Sequence, residues 1–177
     1  MKNARTYAVA LAAAFALAGC ASGVKREADA SSVAGQAVAK MPVGTVTVSL
    51  SPGAQKLAAE NPKFDQEKLL YTVRRALEVN GLVQGGAAAP RAEIVITEFR
   101  VRGTFSAVMW GVMAGTDNVT GDVVVRDASG KQLRKFSVNA SYGLGGFAGG
   151  QDDMRLGWLY EKFAEHTVAE LGGPRKE

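Results

Sequence analysis

The sequence predicts an α+β domain, a mixed β-sheet of about four strands with two helices packed on one face, in the order strand, helix, strand, strand, strand, helix. Three observations carry this expectation. Segments at 43–50, 92–102, 121–127 and 131–142 are rich in β-branched residues alternating with polar ones. Two longer segments, 65–80 and 152–171, repeat apolar residues three and four apart, the helical period. Turn-forming groups separate them, at Ser51-Pro52-Gly53, Gly85-Gly86, Asp127-Ala128-Ser129-Gly130 and Gly143 to Gly150.

In "VGTVTVSL" Val43, Thr45, Thr47 and Ser49 share one side and Val46, Val48 and Leu50 the other, the pattern of a strand. The stretch after it, "AQKLAAENPKF", holds at most a short helical turn. Asp65 then stands where a cap accepts from first-turn N–H groups, with Phe64 and Leu69 spaced as a hydrophobic staple. Leu69, Val73, Ala76, Leu77 and Asn80 continue the stripe, Leu70 and Tyr71 widen it toward the sheet, and Arg74, Arg75 and Glu78 take the wetter side. Gly81 supplies the stop.

In "AEIVITEFRVRG" Ile94, Ile96 and Glu98 alternate with Glu93, Val95, Thr97 and Phe99. Apolar residues on both faces predict an interior strand covered on at least part of each side. "GDVVVRD" and "KQLRKFSVNASY" read as an antiparallel hairpin, with Arg134, Phe136, Val138 and Ala140 alternating with Leu133, Lys135, Ser137 and Asn139. In the last helix Asp152 or Asp153 caps, Leu156, Leu159, Tyr160, Phe163, Thr167 and Leu171 form the apolar side, and Gly172-Gly173-Pro174 ends it.

Ahead of this domain, Lys2 and Arg5 precede an apolar run from Tyr7 to Leu17, a signal-peptide pattern too short to span a bilayer, which takes about 20 apolar residues. The run ends in Leu17-Ala18-Gly19 and the only cysteine, Cys20. This resembles the lipobox of bacterial lipoproteins, and the resemblance implies cleavage before Cys20 and lipidation of its sulfur. The other reading is a leader cut at a different small-residue site, leaving a free thiol. By resemblance to lipoprotein sorting, Ala21 in place of aspartate implies the outer membrane, with the domain facing the periplasm. The expected organisation is a signal peptide at 1–19, a flexible lipid-anchored tether at 20–40, one domain at 41–172 and a C-terminal tail at 173–177.

Charge and composition exclude several chemistries. The formal charge is +4, of which Lys2 and Arg5 leave with the leader, and no dense basic patch with interleaved aromatics remains, so no nucleic acid is expected as a partner. A single cysteine forms no intramolecular disulfide. One histidine, His166, and scattered aspartates lack metal-ligand spacing, so neither metal nor cofactor is expected. His166 reads as a solvated helix position one turn from Glu170 and near Lys162. Ser22-Gly23-Val24-Lys25 matches S-x-x-K by chance, and "GLGGFAGG" is followed by Gln151-Asp152 where a phosphate loop needs Lys and Ser or Thr.

The least ordinary stretch is "FSAVMWGVMAG", 105–115, with Met109, Trp110 and Met113 among small residues. Two readings stand: these side chains complete the core, or with Phe147 of the later glycine loop they form a contact surface. Arg100 and Arg102 flank the stretch and read as a solvated strand face or as groups meeting acidic headgroups or a partner carboxylate.

The lipobox, the "TEFRVRG" strand, "SAVMWGVMAG", the hairpin "TGDVVVRDASGKQL" and the glycine loop before a last helix together resemble a bacterial lipoprotein family of unknown function. The layout is also distantly similar to curli-secretion-type lipoprotein domains. The resemblance implies a membrane-anchored envelope location and an α+β fold, and brings no catalytic residues. The expected function is that of a non-enzymatic cell-envelope lipoprotein that binds or supports another envelope component or self-associates as a homo-oligomer. The alternative is a periplasmic enzyme acting on a cell-wall or other envelope substrate.

Overall fold

A computed structural model of the chain describes residues 22–26, 38–60, 63–102, 116–142 and 152–175. Its elements are β1 (Gly23–Arg26), β2 (Thr45–Leu50), α1 (Pro52–Glu60), α2 (Gln66–Val79), β3 (Arg91–Arg100), β4 (Asp117–Arg126), β5 (Gln132–Tyr142) and α3 (Asp152–Glu170). The strands make one mixed sheet in the spatial order β1-β5-β4-β3-β2, in which β2 runs parallel to β3 and the other three pairs are antiparallel. The fold is α+β, with three helices packed on the sheet.

Alternation places the core. Strand registers align Val48, Ile94, Val123 and Phe136 in one row across the sheet, and Leu50, Ile96, Gly121, Val138 and Val24 in another. Against these rows lie Leu69, Val73 and Leu77 of α2 and Leu156, Leu159, Tyr160 and Phe163 of α3, all buried. Burying one such aliphatic or aromatic side chain contributes about 1.5–3 kcal/mol, so this face supplies most of the folding drive. The opposite face carries Thr120, Asp122, Ser137 and Asn139 joined by side-chain hydrogen bonds. Apolar cover therefore lies on one side of β3, where the sequence had suggested partial cover on both.

Several elements form as their local chemistry requires. Asp65 caps α2 by accepting from the Lys68 N–H at 2.9 Å, and Gly81 follows at φ +65°. Phe64 stacks on Phe99 at 4.4 Å between centroids and meets Tyr160 edge-on at 5.8 Å. The Tyr160 hydroxyl accepts from the Asp65 N–H at 2.8 Å, and burial pushes its pKa up to about 12. At the end of α3 the Gly173 N–H bonds the Val168 carbonyl, with Gly172 at φ +84°.

Four features depart from the sequence-based expectation. Gly23–Arg26, placed there in a flexible tether, forms β1, the edge strand beside β5, because the β5 backbone and Val24 offer it pairing and partial burial. A third helix, α1, follows β2: Ser51 Oγ accepts from the Ala54 N–H at 3.2 Å and Pro52 occupies the first helical position, so Ser-Pro starts a helix as well as ending a strand. Tyr71, expected to widen the buried stripe of α2, is 70% exposed. In β3 the register shifts between Ile96 and Glu98, and this bulge turns Glu98 outward and Phe99 into the core.

Gly121 faces Phe163: a Cβ there would stand 2.9 Å from Ile96 Cδ1, 3.1 Å from the Val95 carbonyl oxygen and 3.3 Å from Phe163 Cζ. Gly121→Ala is expected to lower stability by about 1–3 kcal/mol through overpacking, read as a lower urea midpoint with unchanged slope. An unchanged midpoint would show that Phe163 moves aside without cost.

Candidate functional site

Two polar constellations stand out, one at an end of the sheet and one beside its β1 edge. At the sheet end β3 leaves through Arg102 and β4 begins at Asp117, so these residues bracket segment 103–116. Asp117 Oδ1 accepts from the Arg102 backbone N–H at 2.7 Å and from its Nε at 3.1 Å. Asp117 Oδ2 accepts from Arg102 Nη2 at 3.3 Å and lies 3.0 Å from Arg155 Nε. Arg155 Nη2 in turn donates to the Arg102 carbonyl at 2.8 Å. Asp117 is fully buried, and Arg102 and Arg155 are at most 4% exposed. A buried carboxylate held between two buried guanidiniums fixes backbone position more than it adds net stability, because desolvation offsets much of the attraction.

The second constellation is a cleft of about 510 Å³ between β1 and α3, lined by charged residues including Arg26, Lys162, Glu165, Glu170 and Arg175, with His166. Arg26 donates to both Glu170 carboxylate oxygens at 2.7 and 2.8 Å, and that bond raises the Arg26 pKa above its ordinary value. Lys162 donates to Glu165 at 2.7 Å. His166 is therefore half-buried, not a solvated helix position. Its Nε2 is enclosed without a hydrogen-bond partner among the described residues, and burial first, then the charge of Lys162, hold its pKa below the usual histidine value. Both oxygens of Glu170 are engaged by Arg26, and among the described residues that line the cleft there is no serine, threonine or cysteine.

Cys20, Met109, Trp110, Met113 and Phe147, the residues expected to carry lipid or contact a partner, lie outside the described residues. Of the flanking arginines, Arg100 is exposed at the end of β3, whereas Arg102 is buried against Asp117. Asp117 and Arg155 were missed as a pair, though signals existed. Asp117 shares the inward side of β4 with Val119, Val123 and Val125, and Arg155 falls four residues before Leu159 on the buried stripe of α3. Ser22, the serine of the chance S-x-x-K, has its Oγ bonded to the Ser141 backbone. Among the described residues no three His, Cys, Asp or Glu side chains gather as metal ligands, and no helix is long and apolar enough to cross a membrane.

Sheet, one-sided helical cover and charged end define the class: a small α+β module with a five-stranded mixed sheet. Residues 28–146, more than half of the chain, match the domain of unknown function DUF4410, and the chain belongs to that family. The match stops before α3, although α3 supplies Arg155 and a large part of the core. Among solved structures, the PelC dodecamer from Paraburkholderia phytofirmans is similar at 14% identity over 87% of this chain and 99% of that one, with a TM-score of 0.49. A crystal of a PelC point variant from the same organism gives 14% identity over 86% and 98%, with a TM-score of 0.48. An uncharacterised protein gives 13% identity over 76% and 95%, with a TM-score of 0.37. No curated protein matches the chain.

Two measurements follow from this geometry. Asp117→Asn leaves two buried guanidiniums without their carboxylate and is expected to cost about 3–5 kcal/mol in chemical unfolding, part of which returns when Arg155→Met is added. Equal loss in the single and double variants would contradict the shared-charge account. His166 binds a proton less readily folded than unfolded, so its contribution is complete above the ordinary value of 6.5 and is lost as pH falls through 6.5 toward the lower folded pKa. Urea midpoints measured between about pH 7 and pH 5 should fall more steeply for the native chain than for His166→Gln. Parallel profiles would refute this.

Proposed function

We propose that the chain is a non-enzymatic lipoprotein of the bacterial cell envelope, anchored in the outer membrane through lipidated Cys20 with its domain in the periplasm. It presents segment 103–115 to another envelope component or to a second copy of itself. The observation that carries this reading is the Arg102–Asp117–Arg155 cluster: both ends of the segment bearing Met109, Trp110 and Met113 are tied to one buried carboxylate. A buried ionic cluster is a poor source of stability and a good source of fixed geometry, as presenting a contact segment requires. The lipobox supports the anchor, with lipid chains contributing about 0.8 kcal/mol per buried CH₂ to membrane attachment.

The enzyme alternative has less support. Its best location is the cleft at His166, where the neighbouring carboxylates are engaged by Arg26 and Lys162.

Crosslinking of the lipidated protein in native envelopes tests the reading, with Met109→Lys as comparison after its unfolding midpoint is confirmed to be native-like. A discrete adduct, hetero- or self-crosslinked, that disappears in Met109→Lys is the expected result. An adduct set unaffected by the substitution would remove segment 103–115 from the contact.

A further inference from the structure

Ser22 is fixed to the sheet on both sides of its hydroxyl: Oγ donates to the Ser141 carbonyl at 3.2 Å and accepts from the Ser141 N–H at 2.9 Å. Gly23 follows as the first residue of β1, opposite Asn139. Cys20 precedes Ser22 by two residues. An extended chain covers at most about 3.6 Å per residue, so the Cys20 Cα lies within roughly 7 Å of the Ser22 Cα. A lipid on Cys20 is thus confined to one end of the sheet, the end where Ser141 and Tyr142 close β5.

That end carries the composition of a bilayer interface. The ring of Tyr142 meets Trp158 edge-on at 5.0 Å between centroids. Trp158 is 37% exposed, and Met154, one helical turn earlier on α3, is 69% exposed. One turn later, Lys162 Nζ stands 5.7 Å from the Trp158 ring centroid. Tryptophan and tyrosine favour headgroup depth because their rings are apolar and their N–H and O–H groups remain wet. Lys162, paired with Glu165, and exposed Asp153 bring both signs of charge to the same helix, so a zwitterionic phospholipid surface suits the patch.

We infer that Met154, Trp158 and Tyr142 form a seat for a phospholipid surface, against which the short connection to lipidated Cys20 holds the domain. This rests on the lipoprotein reading above. The seat is small, and confinement by the anchor supplies the effective concentration that keeps it occupied.

Trp158 reports directly once Trp110→Phe makes it the only tryptophan, since the chain has two. The full acylated chain is placed in phosphatidylcholine vesicles carrying lipids brominated near the headgroup, and the mass of the N-terminal peptide establishes acylation. Strong quenching of Trp158 is expected, falling by about twofold or more when a Gly/Ser insert between Ala21 and Ser22 lengthens the connection without removing the lipid. Met154→Glu should lower it as well. An unacylated Cys20 would overturn the anchor and the seat together. Acylated, vesicle-bound protein with unquenched Trp158 would overturn the seat alone, as would quenching indifferent to both the insert and Met154→Glu.

Discussion

Two buried guanidiniums sharing one buried carboxylate hold the end of the sheet together. Asp117 receives bonds from the Arg102 backbone and side chain and an ion pair from Arg155, so one side chain joins β3, β4 and α3. Arg155 then closes the ring by bonding the Arg102 carbonyl. In a low-dielectric surrounding each group would be costly without the others, and the cluster therefore stands or fails as a unit. The ends of β3 and β4 remain in register because of it, with Arg102 and Asp117 held against each other.

The rest of the molecule is built on the apolar face of the sheet. The apolar rows of the sheet, from Val48 to Phe136 and from Leu50 to Val24, are roofed by α2 and α3, and Gly121 admits Phe163 to the centre of the second row. The bulge after Ile96 puts Phe99 into the aromatic group with Phe64 and Tyr160, which ties the start of α2 to α3. On the far face Ser137 bonds Asp122 and Asn139 bonds Thr120, so these polar groups satisfy one another.

Much of this fold was legible in the sequence because it depends on local chemistry. Asp65 as a cap, Gly81 as a stop, the Asp127–Gly130 turn and the stripe from Leu156 to Leu171 each announce themselves within a few residues. What was not legible depends on distant partners. "GVKR" has one apolar side chain in four residues and becomes a strand only because β5 lies beside it. The bulge in β3 is a tertiary choice between burying Phe99 and burying Glu98. Arg102, Asp117 and Arg155 look like surface charges one at a time, and their positions on inward-facing periods acquire meaning only when three elements meet. His166 likewise gains its cleft from β1, without which it would be the solvated helix residue that the sequence suggested.

The pairing of β1 also sets an order of events. Ser22 and Ser141 are 119 residues apart in sequence, and Arg26 and Glu170 are 144 apart. A chain that leaves a ribosome or translocon from its N-terminus has no partner for β1 until β5 has emerged, and no Glu170 for Arg26 until α3 is complete. Closing so long a loop costs only slightly more entropy than closing a short one, but it slows the search. β1, the first strand in the sequence, cannot join the sheet before β5 is made, and until it does, the β5 edge and the charged flank of α3 are accessible to chaperones or to the β1 of another copy.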